Sequence, residues 1–209
     1  MEKKNNNKRL SLEKIINNLF ARIQKLEKNK EIQIKDFFGS KIILNENEFN
    51  FIAKEISPKN NISLQLLFSS DINKENVEDL KSAYIGKKDL LFLIKTTKDK
   101  RFGGYAHESF ELKEFDKIDK NAFLFNINQL EIYRASGNDT SIWKDSVTIN
   151  SINFGGGTDL KINHKFLSEK NYTKPNGDLY YNYNKKEYAL NGELYFEISI
   201  LELFKVIFH

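Results

Sequence analysis

The segment DLLFLIKTT, residues 89 to 97, constrains the fold of this chain more than any other stretch. Leu90 to Ile94 are all apolar, so the segment has no polar face and must be covered on both sides. It is too short for an independent helix, and turn-forming residues bound it. The pattern predicts a central β-strand. The C-terminal run LYFEISILELFKVIF (194–208) is predicted to be a second interior strand, because a sheet edge would leave its apolar residues in water.

Between these two runs lie short segments of β type: RFGGYAH (101–107), NAFLFNI (121–127), LEIYRA (130–135), SVTINSINF (146–154) and DLKINH (159–164). Turns are expected at 98–100, 136–139, 155–157 and 175–178, which are rich in Gly, Asn and Asp. Closely spaced strands joined by tight turns predict an antiparallel sandwich rather than alternating βαβ units. ISLQLLFSS (62–70) reads as one more strand. Helices are expected over Asn45–Ile56, with Phe49, Ile52, Ala53 and Ile56 on one face, and over Asn73–Tyr84, with Val77, Leu80 and Tyr84 inward. The fold class is therefore α+β, mainly β: a two-sheet antiparallel β-sandwich flanked by helices, with a further helix at the N-terminus.

That N-terminal helix belongs to a basic arm, residues 1–39, distinct from the body at 40–209. Residues 1–30 carry nine Lys and Arg against three Glu, an excess of +6, whereas the remainder holds 24 basic against 26 acidic residues. The charge thus points to a partner for the arm and not to a nucleic-acid face on the body. Ser11 can cap a helix running to Asn29, in which Leu12, Ile16, Leu19, Ile23 and Leu26 recur at four- and three-residue spacing. Two heptads leave two options open: a coiled-coil homodimer, or a helix lying on its own domain. No stretch reaches the roughly 20 apolar residues of a membrane span, so membrane insertion is not expected and the chain reads as cytoplasmic.

The chain has no cysteine, which removes disulfides, thiolate metal sites and thiol redox chemistry. Gly155, Gly156 and Gly157 precede Thr158-Asp159-Leu160, with neither a Walker lysine nor a following helix, so a strand-to-strand turn is the better reading than a phosphate loop. Asp71, Asn73 and Glu75 share the spacing of a calcium loop, but Asn76 and Ser82 stand where its glycine and terminal glutamate would be. His107, His164 and His209 are far apart and lack metal-ligand spacing, and no serine elbow occurs. Glu108 and Glu111 cannot be set against each other from sequence, and the Tyr- and Lys-rich stretch Tyr180–Tyr188 reads as a hairpin edge before it reads as a stacking platform. No cofactor, metal or catalytic residue is assigned.

In order along the chain, SKIIL (40–44), LQLLFSSD (64–71), LLFLIKTTKDKRFGGYAHESF (90–110), DKNAFLFNI (119–127), FGGGTDLKIN (154–163) and GELYFEISILELFKV (192–206) together resemble the TLDc family. Two positions depart from its pattern. Phe110 stands at the usual Trp, and Asp71-Ile72-Asn73 replaces the His-Gly of oxidation-resistance members. The resemblance implies a β-sandwich of a kind found in eukaryotic proteins, linked to oxidative-stress resistance and to regulation of the vacuolar proton-pumping ATPase, with no agreed catalytic mechanism. It implies a non-catalytic protein-binding module, held at organelle membranes through its partner. An enzyme using acidic loop residues and a ligand-binding sandwich are the alternatives. Phe102, Gly103, Gly104, Phe154, Gly155, Gly156, Asp159, Glu197 and Glu202 are the candidate motif or contact positions, expected to form a polar-rimmed patch if the fold gathers them.

Overall fold

The computed structural model describes Arg22 and residues 39–110, 116–135, 142–144, 151–155, 159–173 and 188–209, with backbone alone for 116–117 and 142–144. Residues Ser40–His209 form one compact unit, separate from Met1–Gly39. The expected helix over Ser11–Asn29, apart from Arg22, which is helical, the turns at 136–139 and 175–178, the segment 146–150 and Tyr180 to Lys186 lie outside the described residues.

The body is an antiparallel two-sheet arrangement, mainly β. The first sheet contains β1 (Ile62–Ser69), β2 (Leu90–Thr96), β3 (Arg101–Ala106), β5 (Phe123–Asn126), β6 (Glu131–Arg134) and β12 (Ile198–Phe208), in the order β1-β12-β2-β3-β5-β6. The second contains β4 (Asp116–Lys117), β7 (Ile142–Lys144), β8 (Ser151–Phe154), β9 (Leu160–Asn163), β10 (Asn171–Thr173) and β11 (Tyr195–Phe196), in the order β11-β10-β9-β8-β7-β4. β2 is interior, between β12 and β3, and Leu90 to Ile94 are fully buried.

Alternation along the strands divides two apolar layers. Leu90, Phe92 and Ile94 of β2, Phe102, Gly104 and Ala106 of β3 and Leu124 of β5 face the second sheet. There Phe92 meets Phe154 edge-on at 5.6 Å, and Phe102 meets Phe196 at 5.1 Å. Both geometries suit the ring quadrupoles. Phe110 joins this cluster, with its ring 5.6 Å from Tyr84 and 5.7 Å from Phe92.

The opposite face of the first sheet carries Gly103, Tyr105, Phe123 and Phe125 and is covered by helix α1 (Glu46–Ile56). Asn45 caps α1 by accepting from the Glu48 N–H. Glu48 then receives both guanidinium nitrogens of Arg101 on β3, at 2.8 and 3.0 Å, a two-pronged pair that anchors the helix to the sheet. Phe49 and Ile52 are buried on the helix face, while Ala53 and Ile56 are partly exposed.

Several sequence expectations need correction. The closing segment is two strands, not one. Tyr195–Phe196 is the edge of the second sheet and Ile198–Phe208 is interior to the first, with Glu197 alone between them. The pattern concealed the break because apolar side chains continue through both strands. The first strand ends at Ser69, and Ser70–Asn73 forms the helical turn α2, whose Ser70 hydroxyl accepts the N–H of Leu201, just past the irregularity between Ile198 and Ile200 in β12. The next helix, α3, covers only Val77–Tyr84, because the Asn76 side chain accepts from the N–H groups of Glu78 and Asp79 and so sets the start. Leu80 and Tyr84 are buried as expected, joined by Ala83, whereas Val77 is half-exposed.

Candidate functional site

Seven of the nine expected motif or contact positions are interior. Phe102, Phe154 and Asp159 are fully buried, Glu202 is 1% exposed, and Gly103, Gly104 and Gly155 are likewise interior. Glu197 is exposed, and Gly156 lies outside the described residues. These positions are structural for specific reasons. A Cβ on Gly103 would sit 2.0 Å from the Phe92 carbonyl oxygen, and one on Gly104 would sit 2.8 Å from the Phe154 ring in the facing sheet. Gly155 has φ +84°, and a Cβ there would lie 2.1 Å from the Asp159 carboxylate.

Glu202 is an acid inside an apolar strand. It faces the segment leading into α1, and its carboxylate accepts the Ser40 hydroxyl at 2.5 Å and the Lys41 N–H at 2.8 Å. Burial pushes its pKa up, partly offset by these two donors.

The three histidines are dispersed, each with its own partner. His209 meets the Ser63 hydroxyl at 2.8 Å at the rim of β1. Nε2 of His164 meets the Tyr84 hydroxyl at 2.8 Å inside the core. Nδ1 of His107 meets Asp89 at 2.6 Å. The calcium-like residues are also occupied structurally: Asp71 pairs with Lys41, Asn73 accepts the Ser69 N–H, and Glu75 accepts the N–H groups of Leu167 and Ser168. Among the described residues no group of three or more His, Asp or Glu is arranged to hold a metal ion.

The polar cluster that sequence reasoning missed is centred on Asp89. One carboxylate oxygen accepts from Tyr105 at 3.1 Å and from His107, and the other accepts from Lys205 at 3.0 Å. Burial alone would raise its pKa, but the donors Lys205 and His107 outweigh that and hold it below the usual carboxylate range. Burial, with the neighbouring Asp89 charge, pushes the Tyr105 phenol up. Asp89 has φ +55°, a sparsely populated conformation for a non-glycine residue. A signal was available. With the turn placed at 98–100, the β2–β3 hairpin pairs Leu90 with Ala106, which brings Asp89 opposite His107.

Beside this cluster is a cavity of about 380 Å³ between α1 and the outer face of the first sheet. Tyr105 and Phe123 line it, with ring centroids 5.3 Å apart, together with His107, Lys120, Asn121 and Arg134. Asp119, 1% exposed, fixes one rim: it accepts the N–H groups of His107 at 2.7 Å, Glu108 at 2.8 Å and Asn121 at 3.0 Å. Among the described residues no helix is long and apolar enough to cross a membrane.

Comparison with curated proteins gives no significant match. The family description of the TLDc domain matches residues 37–207, most of the chain and nearly all of the sandwich. With the ordered motifs now placed on two antiparallel sheets, the chain belongs to the TLDc family.

Proposed function

We propose that this protein is a non-catalytic, protein-binding regulatory module that docks on the vacuolar proton-pumping ATPase or supports oxidative-stress resistance, as TLDc-type domains do. The observation that carries this reading is the family match over residues 37–207. Two features of the body support it. The buried acids Glu48, Asp119 and Glu202 are engaged by Arg101, by backbone amides or by Ser40, work that holds the fold together and leaves them poorly placed for proton transfer. On the surface, Ile72 is 70% and Leu167 is 47% exposed, and the segments that carry them are tied together through Glu75, whose carboxylate accepts the Leu167 N–H. Such a module works in the cytoplasm and reaches an organelle surface through its partner.

The test is capture of purified cytosolic subunits of the vacuolar ATPase by the full chain, with hydrolase and peroxidase assays run on the same preparation. Saturable capture that is weakened by Ile72→Asp and Leu167→Asp, with no turnover, supports the proposal. Turnover abolished by a single carboxylate substitution would overturn it.

A further inference from the structure

We propose that the free edge of β1 pairs with the same edge of a second copy of this chain, the two strands running antiparallel across a two-fold axis at Leu64. The edges of the two sheets are β1, β6, β11 and β4. β11 and β4 are two residues long, and β6 is four residues carrying Glu131 and Arg134. Shortness and charge are how sheets ordinarily keep an edge from pairing. β1 has neither: its eight residues, ISLQLLFS, include no charge and no proline. Its middle is accessible, with Gln65 exposed and Leu66 36% exposed.

The backbone directions follow from the neighbouring ladders. The Val206 N–H donates to the Asp89 carbonyl at 2.8 Å, so Val206 turns its polar groups toward β2. Leu64 lies opposite Val206, and in an antiparallel pair a residue facing one turned away is itself turned away. Asn61, at an odd spacing of three residues from Leu64, accepts the His209 N–H at 3.0 Å, as this alternation requires. The N–H and C=O groups of Ile62, Leu64 and Leu66 are therefore aimed at the free edge, and among the described residues they have no hydrogen-bond partner.

The side chains identify the occupant. Ile62-Ser63-Leu64-Gln65-Leu66 runs apolar, polar, Leu, polar, apolar in both directions, as a strand that faces itself must. With Leu64 opposite its copy, Ile62 meets Leu66, and Ser63, its hydroxyl already placed by His209, meets Gln65. Apolar side chains then share one face and polar ones the other. The same register uses every outward backbone group: three N–H groups on each of two strands close six hydrogen bonds. The register shift between Leu66 and Phe68 falls just where this ladder ends. With no charge on β1, the two-fold sets no like charges against each other. The pairing does not rest on docking to the vacuolar ATPase, and either can fail without the other.

The test is sedimentation of the full chain over a range of concentrations, with hydrogen exchange followed at the amides of Ile62, Leu64 and Leu66. The wild type is expected to dimerise with a Kd above roughly 1 μM, as a small interface should, and to gain protection at those three amides as concentration rises. Leu64→Pro removes the N–H at the axis, a change that an outward-facing edge position tolerates, and should weaken the dimer at least roughly tenfold. Leu64→Lys and Leu64→Glu each set like charges on the axis and should be monomers, while an equimolar mixture of the two should pair again. Leu19→Asp, in the N-terminal arm, should leave the dimer intact. If Leu64→Pro melts early, the mixture decides. A wild type that stays monomeric up to its solubility limit, a dimer untouched by a well-folded Leu64→Pro, a dimer abolished by Leu19→Asp, or a mixture no better paired than its components would each overturn the proposal.

Discussion

The Tyr84 hydroxyl and Nε2 of His164 meet at 2.8 Å inside the core, joining helix α3 to the turn after β9. Nδ1 of the same imidazole is buried without a hydrogen-bond partner among the described residues. Burial, with a smaller push from Lys81, lowers the His164 pKa from 6.5 to about 4. The unfolded chain therefore binds a proton near 6.5 that the folded chain refuses until about 4. This contribution is complete above 6.5 and is lost as pH falls through that window, by at most about 3 kcal/mol. Urea unfolding across pH 4 to 7 should show a flatter pH dependence for His164→Gln than for the wild type. Parallel curves would remove this role from the histidine.

Glu202 leads to a second expectation. Replacing it with Ala leaves the Ser40 hydroxyl and the Lys41 N–H without their acceptor and should cost about 2 kcal/mol or more. Glu202→Gln keeps an acceptor oxygen and sheds a buried charge whose pKa is already raised, so its loss at neutral pH should stay below about 1 kcal/mol. Chemical denaturation of the two variants checks the order, and equal losses would mean that the charge itself matters.

Adjacent glycines on β3 should respond differently to the same methyl group. At Gly103 the obstacle is the backbone oxygen of Phe92 at 2.0 Å, which cannot move without opening the β2–β3 ladder. At Gly104 the neighbours are the Phe154 ring at 2.8 Å and Leu124 at 3.0 Å, side chains able to shift. Gly104→Ala should lose about 1–3 kcal/mol, and Gly103→Ala more, to the point of poor folding. Melting temperatures in the reverse order would contradict this placement of the two faces.

The arm offers a sharper cut. A chain starting at Ser40 keeps both donors to Glu202 and should melt within a few degrees of the full protein, whereas one starting at Ile43 loses them and should melt clearly lower. Thermal denaturation of both truncations decides. Equal melting temperatures would deny the Glu202 contact its stabilising part.

How far the sequence could be read depended on whether neighbours in space were also neighbours in the chain. The β2–β3 hairpin was legible because Leu90 to Ile94 are apolar on both faces and Lys98 to Lys100 can only turn. Glu202 was not, because its partners Ser40 and Lys41 are more than 160 residues away, and an acid in a strand ordinarily marks the wet face. The same reasoning misplaced Phe102, Gly103, Gly104, Phe154 and Asp159: a motif dense in glycine and aromatic side chains suggests an exposed recognition surface, yet here the glycines make room for the rings. The cavity beside His107 gave no linear signal, since its walls come from α1, β3, β5 and β6.

The position of β12 has a consequence for biogenesis. It pairs with β1 on one side and β2 on the other, although about 130 residues separate β1 from it in the chain. During translation β1 and β2 leave the ribosome early and must wait, each with an open hydrogen-bonding edge, until the last strand of the sheet arrives. The nascent sandwich therefore cannot close progressively. The join between β1 and β2 closes in one late event, and until then their apolar strands stay uncovered.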